Sequence, residues 1–124
     1  MILVDTSIWV DHLSLTDPNL AAQLDAGDVL MHPFVLGEIA LGHLPRRQQI
    51  LTQLGKLPKC AVARDPEALT FIHDHKLVAK GVGYVDVHLL LATRLTPESR
   101  FWTRDKRLLS VAKSLGIAFE PRLN

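Results

Sequence analysis

Apolar positions along the chain alternate between short unbroken runs and stripes spaced three or four residues apart. These are the patterns of buried parallel strands and of helices packed on them. Ile2, Leu3 and Val4 form the first run, which stops at Asp5-Thr6-Ser7, where Thr6 or Ser7 can N-cap a helix through Ile8 to Leu13. Asp17-Pro18 gives a cap and first-turn proline to a second helix, with Leu20, Ala21 and Leu24 on one face and Gly27 closing it. Asp28 to His32 is a second short strand, and Pro33 opens a helix through Phe34, Val35, Leu36, Ile39 and Ala40 that ends between Gly42 and Pro45. Arg46 to Leu54 is expected as a fourth helix, Cys60 to Ala63 as a minor strand, and Asp65-Pro66 as the start of a helix reaching about Val78. Lys80-Gly81-Val82-Gly83 is a turn, because two glycines lose too much conformational freedom inside a helix. Tyr84 to Leu95, apolar nearly all round, reads as a buried helix. Arg100 to Thr103 is a strand, Leu108, Val111, Ala112 and Leu115 keep helical spacing, and Ile117 to Phe119 is a last strand. The expectation is an α/β fold in one domain, 1–124, with a parallel sheet of four to five short strands covered by helices on both faces.

Composition narrows the chemistry. Hydrophobic residues make up 48% of the 124, enough for a compact core. Lys and Arg total 14 against 13 Asp and Glu, a net +1 that names no polyanionic partner by itself; with four acids committed to a metal, the rest of the chain stands at +5. The single cysteine, Cys60, excludes an internal disulfide and a cysteine-based zinc site, and suits a reducing cytosol. The amino terminus carries no signal-peptide pattern, and no apolar run is long enough to span a membrane.

Four acids stand where their neighbours do not account for them. Asp5 and Asp105 each follow a strand, at the carboxyl ends where open α/β sheets place their ligand sites. Glu38 lies in the Pro33 helix among Phe34, Val35, Leu41 and Gly42, and Asp86 begins the most apolar helix; neither has a cation one turn away, so both are expected to point into apolar surroundings. Taken singly, Asp86 and Asp105 also read as helix caps and Glu38 as a side chain escaping to the helix edge. Four gathered carboxylates would repel one another severely, and hard divalent cations relieve that: oxygen donors without sulfur select Mg²⁺ or Mn²⁺. Such a centre suits phosphoryl transfer, in which metal orients the phosphate and neutralises developing charge.

These residues carry a resemblance. Val4-Asp5-Thr6-Ser7 with Trp9 and Asp11, Gly37-Glu38-Ile39, Gly81-Val82-Gly83-Tyr84-Val85-Asp86, and Trp102-Thr103-Arg104-Asp105-Lys106-Arg107-Leu108 together resemble a PIN domain, and within that group a VapC-type toxin ribonuclease of bacterial toxin-antitoxin pairs. The resemblance implies a three-layer α/β/α sandwich and an Mg²⁺- or Mn²⁺-dependent endoribonuclease centre at Asp5, Glu38, Asp86 and Asp105. It also implies homodimerisation, inhibition by a VapB-type antitoxin, and action in the bacterial cytoplasm. Around the acids, Thr6, Ser7 and Thr103 are candidates to orient a carboxylate or hold water, with capping an equal role for Thr6 and Ser7. His88 departs from the aliphatic residue many relatives carry, and its spacing turns it away from Asp86, as a satisfied histidine rather than a ligand.

Trp9 and Trp102 sit in apolar runs and are assigned to the core. Arg46, Arg47, Arg104, Lys106 and Arg107 are candidate phosphate contacts or a solvated face. A haloacid-dehalogenase-type phosphatase needs a second Asp two residues after Asp5, and that place is Ser7. The remaining alternative is a catalytically idle PIN-like scaffold that binds RNA or protein.

Overall fold

The structure is a computed structural model describing residues 1–121. Its strands are β1 (Ile2–Val4), β2 (Val29–Leu30) and β3 (Arg100–Trp102). Its helices are α1 (Thr6–Ser14), α2 (Pro18–Asp25), α3 (Pro33–Ala40), α4 (Arg47–Leu54), α5 (Asp65–Asp74), α6 (Tyr84–Leu95) and α7 (Lys106–Ser114). The sheet is parallel, in the order β2-β1-β3, with Ile2 opposite Val29 and Arg100, and Val4 opposite Trp102. Successive residues of β1 point to opposite faces, yet all three are buried, so both faces of the sheet are covered. Trp9, Trp102, Phe101, Leu3, Ile8, Leu20 and Leu90 lie in the same core, which puts both tryptophans inside. No described helix is long and apolar enough to cross a membrane.

The α/β class holds, but three strands are formed among the described residues, not four to five. The segments expected to add the others are reduced to single bridges, Met31 with Lys59 and Phe101 with Ala118. Each makes two ladder hydrogen bonds and leaves. After Cys60 N donates to Met31 O, the next amide, Ala61 N, turns to the Thr96 hydroxyl at 2.9 Å. On the other edge Phe119 N donates to Phe101 O and Pro121 follows. The helix from Asp65 stops at Asp74, short of Val78, because Lys76 turns left-handed (φ 54°). The cap of α1 is Asp5 itself, whose side chain accepts from Thr6 N, so Thr6 and Ser7 are the first helical residues.

With β1 in the middle, the chain goes to one side of it for β2 and to the other for β3. The order therefore reverses at the carboxyl end of β1, where crevices form in such sheets. Asp5 occupies that point, and its backbone N–H continues the sheet by donating to Trp102 O at 2.9 Å.

Two buried histidines stand beside this crevice. His32 follows β2 and caps α3, its Nδ1 accepting from Phe34 N at 3.0 Å, which leaves the proton on Nε2. His88 Nε2 lies 3.1 Å from Asp65 Oδ1, and the Tyr84 hydroxyl donates to the same oxygen at 2.6 Å. Among the described residues His32 Nε2 and His88 Nδ1 are buried without partners, so His88 is satisfied there at only one nitrogen. Burial, reinforced by His88, pushes the His32 pKa down to about 4. An unfolded His32 takes a proton below about pH 6.5 that the folded one refuses, so its contribution is intact above 6.5 and is lost as pH falls towards 4. The loss at the acid end is on the order of 3 kcal/mol. His32→Asn keeps a capping oxygen but cannot titrate. Whatever stability this variant loses at pH 7 should shrink steadily in melts taken from pH 6.5 to 4; parallel pH curves would refute the assignment.

Candidate active site

Asp5 is fixed at both carboxylate oxygens. Thr6 N donates to Oδ1 at 2.8 Å, and the buried Thr103 hydroxyl donates to Oδ2 at 2.8 Å from the end of β3. Thr103 Oγ1 in turn accepts from Asp105 N at 3.1 Å, so one hydroxyl links two of the four acids. Asp105 is exposed and caps α7, its Oδ1 accepting from Arg107 N and Leu108 N at 3.0 Å each. Asp86, half-buried in the first turn of α6, reaches back through Oδ2 to Gly83 N at 3.0 Å. The cap roles foreseen for Asp86 and Asp105 are real, and each leaves one carboxylate oxygen outside those caps.

Glu38 departs from expectation. It is exposed, not turned into apolar surroundings, because α3 is eight residues long and seats Val35 and Ile39 in the core, which puts Glu38 beside that stripe at the crevice edge. No side-chain hydrogen bond to it is formed among the described residues. The burial argument for a metal therefore fails at Glu38, and the electrostatic one takes its place.

Burial, opposed by the Thr103 and Thr6 donors and assisted by the charges of Asp86 and Asp105, holds the Asp5 carboxyl above its ordinary range. Partial burial and the charges of Asp5 and Asp86 raise Glu38 in the same way. Asp5 thus feels Asp86 and Asp105, and Glu38 feels Asp5 and Asp86: four carboxylates from α3, α6 and the ends of β1 and β3 share one field. Their oxygens do not close a cage, since among the described residues no three Asp, Glu, His or Cys side chains converge on one metal position. The donor set still fits a hard divalent ion in chemistry and in charge: all oxygen, mutually repelling, and with no cation paired to any of the four side chains among the described residues.

Of the neighbouring hydroxyls, Thr103 touches two acids; among the described residues Thr6 Oγ1 is buried without a partner, and Ser7, exposed, hydrogen-bonds to no acid. The cations separate as well. Arg104 pairs with Asp11 at 2.8 Å and with Asp17, and Arg47 donates to Ala40 O at the end of α3 and to Gly42 O just past it. Neither Lys106 nor Arg107 is in an ion pair among the described residues. The Asp65–His88 contact joins residues 23 apart, and only the oddity of His88 hinted at it.

A parallel α/β domain with carboxylates near the carboxyl end of its central strand is consistent with the PIN-like fold that the resemblance implies. No family model matches the chain. It is, however, 38% identical over 118 residues to "Ribonuclease VapC32" from two strains of Mycobacterium tuberculosis, a span covering 95% of this chain and 95% of each relative. The chain belongs to the VapC family of PIN-domain ribonucleases.

Glu38 supplies the cleanest test of the shared field, since removing its charge breaks no hydrogen bond. Its folded carboxyl binds a proton more readily than the unfolded one, so its charge opposes folding at neutral pH and that opposition fades as pH falls through the raised carboxyl range. Glu38→Gln should therefore melt at or above the wild-type temperature at pH 7 in chelator, and lose that advantage by pH 4. A clear drop at pH 7 would mean Glu38 is a structural partner.

Proposed function

We propose that the protein is a divalent-metal-dependent endoribonuclease and the toxin of a toxin-antitoxin pair, hydrolysing RNA phosphodiester bonds in the bacterial cytoplasm. The observation that carries this reading is a set of carboxylates close enough to feel one another's charge, with burial and then that repulsion raising Asp5 and Glu38, in a chain 38% identical to named ribonucleases. Asp5, Glu38 and Asp86 would hold Mg²⁺ or Mn²⁺, with Asp105 at the outer edge. The ion, when bound, supplies positive charge for an in-line displacement at phosphorus and makes water a competent nucleophile. The protein's own part is positioning. Thr103 keeps one Asp5 oxygen turned towards β3 while ordering the turn that carries Asp105, and the Gly83 amide fixes the rotamer of Asp86. The open spacing of the carboxylates is what an idle scaffold would also display, and metal-dependent cleavage separates the two.

The antitoxin site is assigned to a hollow of about 480 Å³ lined by Val10, Leu13, Ile39, Gly42 and Leu44, between α1 and the end of α3. Val10 is 52% exposed and the adjoining Leu41 89%, an apolar seat for a partner helix next to Glu38. Trp9 belongs to the core and takes no part in it. Homodimerisation is part of the same reading, on the strength of the family alone.

Purified protein should cleave single-stranded RNA internally, stop in excess chelator and recover with Mg²⁺ or Mn²⁺. Asp5→Asn and Asp86→Asn should fall to background, while Asp105→Asn keeps measurable cleavage at high Mn²⁺. Robust cleavage in chelator would overturn the metal assignment. In a bacterial host, expression of the protein alone should arrest growth and co-expression of its antitoxin should relieve the arrest. Val10→Asp should weaken that relief at least several-fold while cleavage in vitro is unchanged; full relief would move the antitoxin elsewhere.

A further inference from the structure

The first turn of α7 holds two cations where a helix least favours them. Lys106 and Arg107 follow the Asp105 cap at the positive end of the helix dipole, and no acid accompanies them in that turn. Arg104, one residue before the cap, is neutralised by Asp11 and Asp17; Lys106 and Arg107 have no carboxylate partner among the described residues. Stability does not explain them.

The position of Arg107 does. Its side chain runs back across the Lys80–Gly83 turn and lies on Gly81: a methyl group on Gly81 would collide with Arg107 Cδ and come within 2.8 Å of Nη1 and 3.2 Å of Nε. Gly81 has φ +79°, so the backbone there also favours glycine. Two residues on, Gly83 N holds Asp86 Oδ2, and the Arg107 backbone amide holds Asp105 Oδ1. The guanidinium is thus laid between the turn that anchors one acid and the turn that anchors another, without being in an ion pair with either among the described residues.

Resting on the ribonuclease reading above, we infer that Arg107 is a phosphate-binding subsite for the RNA backbone at the rim of the acid crevice, and that Gly81 is the gap that admits its guanidinium. A substrate strand approaching four carboxylates needs compensation beyond the reacting phosphate. A planar cation at the rim, free to accept a phosphate in two-pronged fashion, supplies it.

The test measures anisotropy of a labelled single-stranded RNA on cleavage-silent Asp5→Asn protein in Mg²⁺, across a salt series. Adding Arg107→Gln should weaken binding several-fold and lower the salt slope by about 0.7, one phosphate contact on a single strand. Its melting temperature should stay level or rise, because a cation leaves the positive end of a helix. Gly81→Ala, which displaces the side chain, should weaken binding similarly and add nothing to Arg107→Gln. Lys113→Gln, at the far end of α7, should bind as the parent does. Unchanged affinity and slope in Arg107→Gln would overturn the subsite while leaving the ribonuclease reading intact; absence of RNA binding by the parent would remove both. A fall of several degrees in melting temperature would make Arg107 a structural prop. Undiminished RNA binding combined with loss of antitoxin relief would assign it to a protein carboxylate.

Discussion

Like charges held together against their repulsion are the condition around which this fold is arranged. Three of the four carboxylates are each held by at least one N–H or O–H donor at a fixed point: Asp5 by Thr6 and Thr103, Asp86 by Gly83, Asp105 by two amides of α7. Hydrogen bonds to an ionised acceptor are worth more than neutral ones, and none of these brings a positive charge that would cancel the field. The anchoring depends on the pairing of β1 with β3, since Thr103 and Asp5 are 98 residues apart and meet only because Val4 lies opposite Trp102. The central strand pair therefore fixes the separation of charges as well as the core.

Much of this was legible in the chain. The run Ile2–Val4 and the segment Arg100 to Thr103 with its Phe101-Trp102 pair announced the two strands that matter most, the second forming over Arg100–Trp102, and the Asp-Pro pairs marked helix starts at residues 17 and 65 within a residue. The acids following the strands could be picked out because a strand ending in an acid is a local pattern. The edges were not legible, because Cys60 to Ala63 and Ile117 to Phe119 have strand-like composition and only a tertiary contact, such as Thr96 taking the Ala61 amide, stops the ladder. The direction of Glu38 is not legible either: on a helix of two turns, the residue beside the buried stripe stands at its edge, and one position is the whole difference. Nothing local could pair Arg107 with Gly81 or His88 with Asp65, since those contacts join distant segments.

The helices bearing Glu38 and Asp86 are steadied by a second polar set behind the crevice. Phe34 sits edge-on to both His32 and His88, with ring centroids 5.0 and 5.1 Å away, and Asp65 and Tyr84 close the far side. His32 Nδ1 serves the Phe34 amide at the start of α3, and His88 Nε2 faces Asp65, which ties α6 to α5.

The truncated sheet edges bear on how such a molecule recruits company. A partner that adds a β-strand needs a run of free amides and carbonyls on an edge, and here each flank offers one paired residue before the chain departs. Among the described residues these edges therefore offer little for ladder extension by another chain. That leaves side chains on helical surfaces, where sequence can vary without disturbing the sheet, as the part of the molecule through which association can be made specific.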